Sequence, residues 1–340
     1  MKIALTADPE LAVPPLQYGG IERMIDLLAR GLSERGHEVV LFANPQSQSA
    51  GHLVPYGGLS SVSAVDTLRN GTAIARHVIA GGFDIIHSFS RIAYLAPLLP
   101  LGIPKLMTYQ RAITRRSIEM AVRLSHGTLS FTAVGAHMLR GVGGIGTWHV
   151  VHNGVSMSAF TFRSDVAPDA PMVFLGRVEE IKGTHIAIEV SQRTGIPLVI
   201  AGNIAPEHRD YFEQRVKPFL SGHITYAGPV DDRQKNELLG RACAFLMPVL
   251  WEEPFGIVMA EALACGTPVI GLNRGAVPEV IEDGINGFVC NTVDGMVAAM
   301  AQVTGLSRAA CRASAERNFS ADVMVEKYLA IYRGMVERRA

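Results

Sequence analysis

The chain has 340 residues, enough for about two domains at the usual ~150 residues each. Its 31 Lys plus Arg balance 31 Asp plus Glu, and a formal net charge of zero removes the uniform basic field of a general nucleic-acid binder. With 48% hydrophobic and 18% charged residues it is globular, neither disordered nor fibrous.

Met1-Lys2-Ile3-Ala4-Leu5-Thr6-Ala7-Asp8 reaches an acid too soon for a secretory signal peptide. The apolar run from Ile92 to Met107 holds three prolines and falls short of the ~20 residues a membrane span needs. Cys243, Cys265, Cys290 and Cys311 are spaced too widely for a metal knuckle and read as small core residues of a reducing compartment. A soluble, cytoplasmic protein is expected, with at most peripheral membrane contact.

In chain order, Ile3–Thr6 predicts a strand, about Ile21 to Arg35 a helix stopped by Gly36, and Glu38–Ala43 the next strand. Asp84–His87, Pro104–Thr108 and Leu129–Val134 follow as strands, each near helical sequence. Polar residues and prolines at 158–171 interrupt the alternation, and a second series begins. Its strands are expected at Met172–Leu175, Leu198–Ala201, Ile224–Tyr226, Ala244–Met247, Pro268–Gly271 and Gly287–Val289. Strands alternating with helices predict parallel sheets covered on both faces, in two doubly wound domains. A last amphipathic helix runs from about Ala321 to Arg338, its apolar side at Val323, Val325, Tyr328, Leu329, Ile331 and Met335.

Gly141-Val142-Gly143-Gly144-Ile145-Gly146 satisfies G-x-G-x-x-G, but a helix precedes it and a strand follows. A dinucleotide fingerprint needs the reverse order. The loop Gln17-Tyr18-Gly19-Gly20-Ile21-Glu22 is better placed, joining the first strand to the first helix, where free N–H groups attract an anion. Taken alone it reads equally well as an ordinary helix start. Arg177 and Lys182 follow the strand ending at Leu175, at the carboxyl edge where open α/β sheets bind ligands. Two cations there suit a diphosphate, although isolated loop cations are commonly just solvated.

The strongest segment is Trp251-Glu252-Glu253-Pro254-Phe255-Gly256-Ile257-Val258-Met259-Ala260-Glu261. Pro254 suits a helix start, and Gly266 ends the helix. Glu253 then precedes the helix and Glu261 lies about two turns along it. Helical spacing would separate them by about 12 Å along the axis. A ligand touching both must span the helix N-terminus, as a sugar nucleotide does, with its diphosphate on the amides of Gly256, Ile257 and Val258.

Glu253 and Glu261, with seven residues between, form the E-x7-E motif, and the chain resembles the retaining GT-B glycosyltransferases of the GT4 family. The same family order holds for Gly19-Gly20-Ile21-Glu22, Val151-His152-Asn153-Gly154-Val155, Gly176-Arg177, Lys182-Gly183, Tyr226-Ala227-Gly228-Pro229-Val230 and Gly266-Thr267-Pro268-Val269. The resemblance implies two Rossmann-like domains facing a central cleft: 1–160 on the acceptor side, 161–320 for the nucleotide sugar, and 321–340 crossing back to the first. It implies that Arg177 and Lys182 grip the donor diphosphate, Glu253 holds sugar hydroxyls and Glu261 binds ribose. Val230 falls by the nucleobase, Gly19 and Gly20 by the phosphate, and Phe255, Gly256, Ile257 and Val258 along the donor. Many relatives carry a histidine where this chain has Gln110, which cannot usefully take a proton at pH 7.

His87 is a substitute on the acceptor side, although a core histidine explains it better. Arg111, with Arg115, Arg116 and Arg123, suits an anionic acceptor or a membrane surface, or is simply a solvated face. The expected partners are a UDP- or GDP-type nucleotide sugar and a small-molecule, lipid-linked or saccharide acceptor, with no nucleic acid. No Asp-x-Asp occurs, and Asp231-Asp232 is explained as a helix cap, so no metal or other cofactor is expected. The rivals are a GT-B enzyme with water or phosphate as acceptor (an epimerase or phosphorylase) and a non-catalytic two-lobed sugar-binding protein. A nicotinamide dehydrogenase lacks a correctly placed glycine fingerprint.

Overall fold

A computed structural model describes residues 1–15, 19–111 and 113–338; Gln17 and Tyr18 of the glycine loop lie outside the described residues. The chain divides into two compact units, Met1–Gly154 with Ala321–Ala340, and Val155–Ser320. Among the described residues no helix is long and apolar enough to cross a membrane.

The first unit carries seven strands: β1 (Lys2–Thr6), β2 (Glu38–Ala43), β3 (His52–Pro55), β4 (Ile85–Ser88), β5 (Lys105–Tyr109), β6 (Leu129–Ala133) and β7 (Thr147–Val150). Every pairing is parallel, in the order β3-β2-β1-β4-β5-β6-β7. Helices α1 (Gly20–Glu34), α2 (Ala64–Gly81) and α3 (Arg115–Ser125) connect them. Central strands β4, β5 and β6 are buried at every position, as a sheet covered on both faces requires. The direction of winding reverses between β1 and β4, and the loops after these strands bound the crevice in which such sheets hold ligands.

The second unit carries β8 (Met172–Leu175), β9 (Leu198–Ala201), β10 (Ile224–Gly228), β11 (Ala244–Met247), β12 (Val269–Leu272) and β13 (Gly287–Cys290), all parallel, in the order β10-β9-β8-β11-β12-β13. Its helices are α4 (Thr184–Thr194), α5 (Arg209–Arg215), α6 (Asp232–Arg241), α7 (Ile257–Ala264), α8 (Val277–Val280), α9 (Val293–Met300) and α10 (Arg308–Phe319). Here the winding reverses between β8 and β11. Arg308 ties the far ends of α6 and α7 together, donating to the carbonyls of Gly240 and Ala242 and to the Thr267 hydroxyl at 2.8–2.9 Å. A guanidinium satisfied by fixed carbonyls holds two helices in register more firmly than apolar contact alone.

The boundary expected at residue 160 falls instead at 154/155. The Val155 N–H donates to the Phe319 carbonyl at 2.8 Å, and Val155 bridges to Ser320, which commits this segment to the second unit. The final helix, α11 (Ala321–Glu337), belongs to the first unit, where Arg35 of α1 reaches Asp322 and Glu326 at 2.8 and 2.7 Å. Its buried face is rotated from the expected one: Met324 and Tyr332 turn inward with Val325, Tyr328, Leu329 and Met335, while Val323 and Ile331 are half-buried.

Candidate active site

In the second unit the sequence places one cation after β8 and a carboxylate after β11, and the topology makes those two strands neighbours. Lys182 sits in the 3-10 turn Glu180–Lys182 before α4, and Glu253 in the loop ahead of α7. The Lys182 ammonium donates to Glu253 Oε2 at 2.5 Å and lies over the Trp251 ring, 4.8 Å from its centre. The Trp251 indole N–H donates to the same oxygen at 2.9 Å. An ammonium has three donors, so Lys182 retains capacity for an anion. Gly183 makes the turn possible: its φ is +75°, and a Cβ there would stand 2.0 Å from the Pro248 carbonyl oxygen.

Gly256 caps α7, leaving the first N–H groups of the helix without intrahelical partners. The helix begins only at Ile257, so Glu261 is its fifth residue, about 6 Å along the axis. The 12 Å separation assumed for continuous helical spacing therefore does not apply. Glu261 is 4% exposed; its Oε1 accepts from the Lys235 ammonium at 2.6 Å, while its buried Oε2 has no partner among the described residues. Lys235 belongs to α6, whose start is set by a capping box between Asp231 and Gln234, with Asp232 the first helical residue. Each glutamate of the motif thus carries its own lysine. Sequence reasoning identified Lys182 and missed Lys235, because no fixed spacing links it to Glu261.

Arg177 follows β8 and pairs with Glu179 at 2.9 Å. Glu179, itself 3% exposed, also faces the His208 ring nitrogen at 2.9 Å. The arginine is therefore partly neutralised before any ligand arrives. Val230 is half-buried, two residues after the end of β10 and directly before the Asp231 cap. The Phe255 ring does not face the loop ahead of α7 as an open donor surface would. Its side chain is 2% exposed and packs edge-to-face on Phe319 at 5.7 Å, so the ring belongs to the core.

In the first unit, Gly20 opens α1, and a Cβ there would meet nothing within 4 Å. Gly19 is crowded: a Cβ there would stand 2.7–2.8 Å from Pro15 and the Glu22 carboxylate. A cavity of about 270 Å³ opens at the ends of β1, β4 and β5, lined by Asp8, Ser90, Arg91, Gln110 and Arg111 among others. Arg111 donates to Asp8 Oδ2 at 3.1 Å, and Asn153 donates to Gln110 Oε1 at 3.1 Å. Burial pushes the Asp8 carboxyl up, against the pull of Arg111. Asp8 lacked a sequence signal beyond following the first strand.

His87 is not an acceptor-side group. It is fully buried in β4, its Nδ1 at the Tyr332 hydroxyl and its Nε2 at the Thr108 hydroxyl. Burial holds its imidazole well below the usual histidine value of 6.5, so the folded protein keeps it neutral. Below pH 6.5 the unfolded chain takes up a proton that the fold refuses. His87's contribution is therefore complete above that pH and is lost as the pH falls, by at most ~1.4 kcal/mol per unit. His87→Gln is expected to flatten the fall of stability between pH 7 and 5 in denaturant titrations; an unchanged slope would remove His87 as its cause.

Comparison with known proteins adds the lineage of this arrangement. Residues 164–313 match the family model described as glycosyl transferases group 1, and residues 18–159 that of glycosyltransferase family 4. The phosphatidyl-myo-inositol mannosyltransferase of Propionibacterium freudenreichii is 26% identical, over 90% of this chain and 87% of its own. AviGT4, a glycosyltransferase involved in avilamycin A biosynthesis, superposes with a TM-score of 0.75 at 24% identity, covering 99% of this chain and 98% of its own. The Anabaena protein Alr3699/HepE, solved in complex with UDP and glucose, gives 0.73 at 17% identity, over 98% of this chain and all of its own.

Proposed function

The chain is a glycosyltransferase of the GT4-like, GT-B class, and from that premise we propose that it moves a hexosyl group from a UDP- or GDP-linked sugar to an acceptor hydroxyl with retention of anomeric configuration. The observation that carries this reading is the pair of buried lysine-matched glutamates flanking the open N-terminus of α7. The diphosphate would lie on the amides of Gly256, Ile257 and Val258, beside Lys182 and Arg177. Glu253 would accept from sugar hydroxyls. Glu261 Oε2 would take the ribose diol, a donor pair for an oxygen with no other partner among the described residues.

Charge grows on the diphosphate as the glycosidic bond breaks, and fixed cations and amide dipoles favour that state over the ground state. Retention is supported by the E-x7-E resemblance, and the donor class by the mannosyltransferase relative and by the UDP and glucose bound in the Anabaena protein. The acceptor would be held by the first unit, at the cavity containing Gln110 and Arg111.

A thermal-shift panel of nucleotide sugars tests this. One UDP- or GDP-sugar at a hundred times its Kd should stabilise the fold by about 2.7 kcal/mol; a panel with no stabilising member would refute the donor class. Transfer is expected to continue in excess EDTA, because protein cations meet the leaving charge. Activity lost to EDTA and restored by Mg²⁺ would overturn that part.

A further inference from the structure

Three cations of the second unit's site each stand against a carboxylate. Lys182 meets Glu253, Lys235 meets Glu261 and Arg177 meets Glu179, at 2.5, 2.6 and 2.9 Å. All three glutamates are buried, at 8, 4 and 3% exposure in that order. In the proposed donor pose Glu253 would meet sugar hydroxyls and Glu261 the ribose. Glu179 has no such partner, so a buried carboxylate beside a diphosphate-binding arginine is left without a role.

The topology explains how Glu179 is held. It follows β8 and precedes the 3-10 turn that carries Lys182, whose backbone N–H donates to the Glu179 carbonyl at 3.1 Å. Strand β9 lies beside β8, and the turn Pro206–His208 after it brings His208 Nε2 to 2.9 Å from Glu179 Oε2. A carboxylate only accepts, so that ring nitrogen carries the hydrogen and donates it. On the other side Arg177 Nη2 stands 2.9 Å from Glu179 Oε1. This contact is an ion pair without hydrogen-bond alignment: neither Glu179 Oε1 nor the buried Arg177 Nε has a hydrogen-bond partner among the described residues. The charge of the guanidinium is offset, while its Nε–H stays available to an oxyanion.

We propose that Glu179 is a positioning residue that acts on the diphosphate through Arg177: it cancels the guanidinium charge, leaves the Nε–H for a phosphate oxygen, and so keeps the product loosely enough bound to leave. Turnover requires that release, and cations without matching carboxylates would hold donor and product alike. The proposal rests on the donor reading above and concerns the affinity of the same site.

Calorimetry of the full chain with inorganic pyrophosphate near neutral pH tests this. Glu179→Gln is expected to bind pyrophosphate about three- to tenfold more tightly than the wild type, because one negative charge leaves a partly buried site. The gain should shrink at high salt. Glu179→Asp keeps the charge and moves it by one methylene, so its affinity should stay near that of the wild type. A purely structural Glu179 makes the opposite demand: both substitutions would weaken binding as the thermal midpoint fell. Arg177→Gln keeps the test open if Glu179→Gln does not fold alone. It should bind pyrophosphate more weakly than the wild type, with Glu179 left unmatched, and adding Glu179→Gln to it should recover affinity several-fold.

An affinity that is unchanged or lowered in Glu179→Gln overturns the proposal. So does a double variant that binds no better than Arg177→Gln, or pyrophosphate that binds to none of these proteins. UDP and GDP titrated into the same samples separate the two readings. A pyrophosphate gain in Glu179→Gln with no nucleotide binding defeats the donor reading and leaves the charge offset standing. Nucleotide binding with the same affinity in wild type and Glu179→Gln defeats the offset alone.

Discussion

Replacing Lys182 with alanine should lower kcat by about 10²-fold or more, with a smaller change in nucleotide affinity. The reason is the timing of charge: in the proposed reaction the ammonium would oppose negative charge that reaches its full value only as the diphosphate departs. The structure adds that Lys182 is already oriented before substrate arrives, between Glu253 Oε2 and the Trp251 ring. Its removal therefore also leaves Glu253 as a half-matched buried carboxylate, with the Trp251 N–H still donating to it. A thermal midpoint measured beside kcat distinguishes loss of chemistry from loss of fold. Arg177→Ala should act in the same direction, with its effect reduced by the fact that Glu179 already engages this guanidinium. A folded Lys182→Ala protein with wild-type turnover would remove Lys182 from the site.

Much of this could be read from the chain because parallel sheets covered on both faces write themselves as short continuous apolar runs. Phe245 and Leu246 of β11 and Leu106 of β5 are wholly buried, and each lies in such a run. The Asp231 cap and the stop of α7 before Gly266 were equally legible, since capping and termination are decided within a few residues, whereas the start signalled by Pro254 falls three residues later, at Ile257. The strand β3 was not, because His52-Leu53-Val54-Pro55 is a four-residue edge strand ending in proline, too short for periodicity to register. Residue order alone leaves His87 with two readings, and only the fold decides between them by burying it against Tyr332 and Thr108.

Long-range pairings are where local reading stops. Lys235 meets Glu261 across 26 positions of chain, and Asp8 meets Arg111 across 103. Neither contact leaves a trace in spacing. The rotated face of α11 has a similar origin: Val323 and Met324 fit an apolar stripe almost equally, and packing against the rest of the unit selects Met324. Phe255 shows the converse, a residue inside a strongly diagnostic motif whose side chain serves packing.

The two glutamates of the motif are expected to fail in different ways. Truncating Glu261 should weaken every nucleotide with a ribose diol, including the nucleoside diphosphate product. A hydrogen bond to a charged group contributes roughly 1.5–3 kcal/mol, so the loss is about 10- to 100-fold in affinity. Lys235→Met should reproduce part of that loss, because the Lys235 ammonium holds Glu261 Oε1 and so aims Oε2. Truncating Glu253 should leave nucleoside diphosphate affinity almost unchanged and reduce transfer strongly, since in the proposed donor pose its contact is with the hexose. Glu253→Ala also frees Lys182 from its carboxylate partner, which increases the positive charge offered to a diphosphate. Product affinity in that variant should therefore hold or rise slightly. Calorimetry with the nucleoside diphosphate and turnover of the full donor, for both alanine variants side by side, decide the matter. If Glu253→Ala lost nucleotide affinity while Glu261→Ala kept it, the donor would lie in the opposite direction along α7, with ribose at Glu253 and the sugar at Glu261.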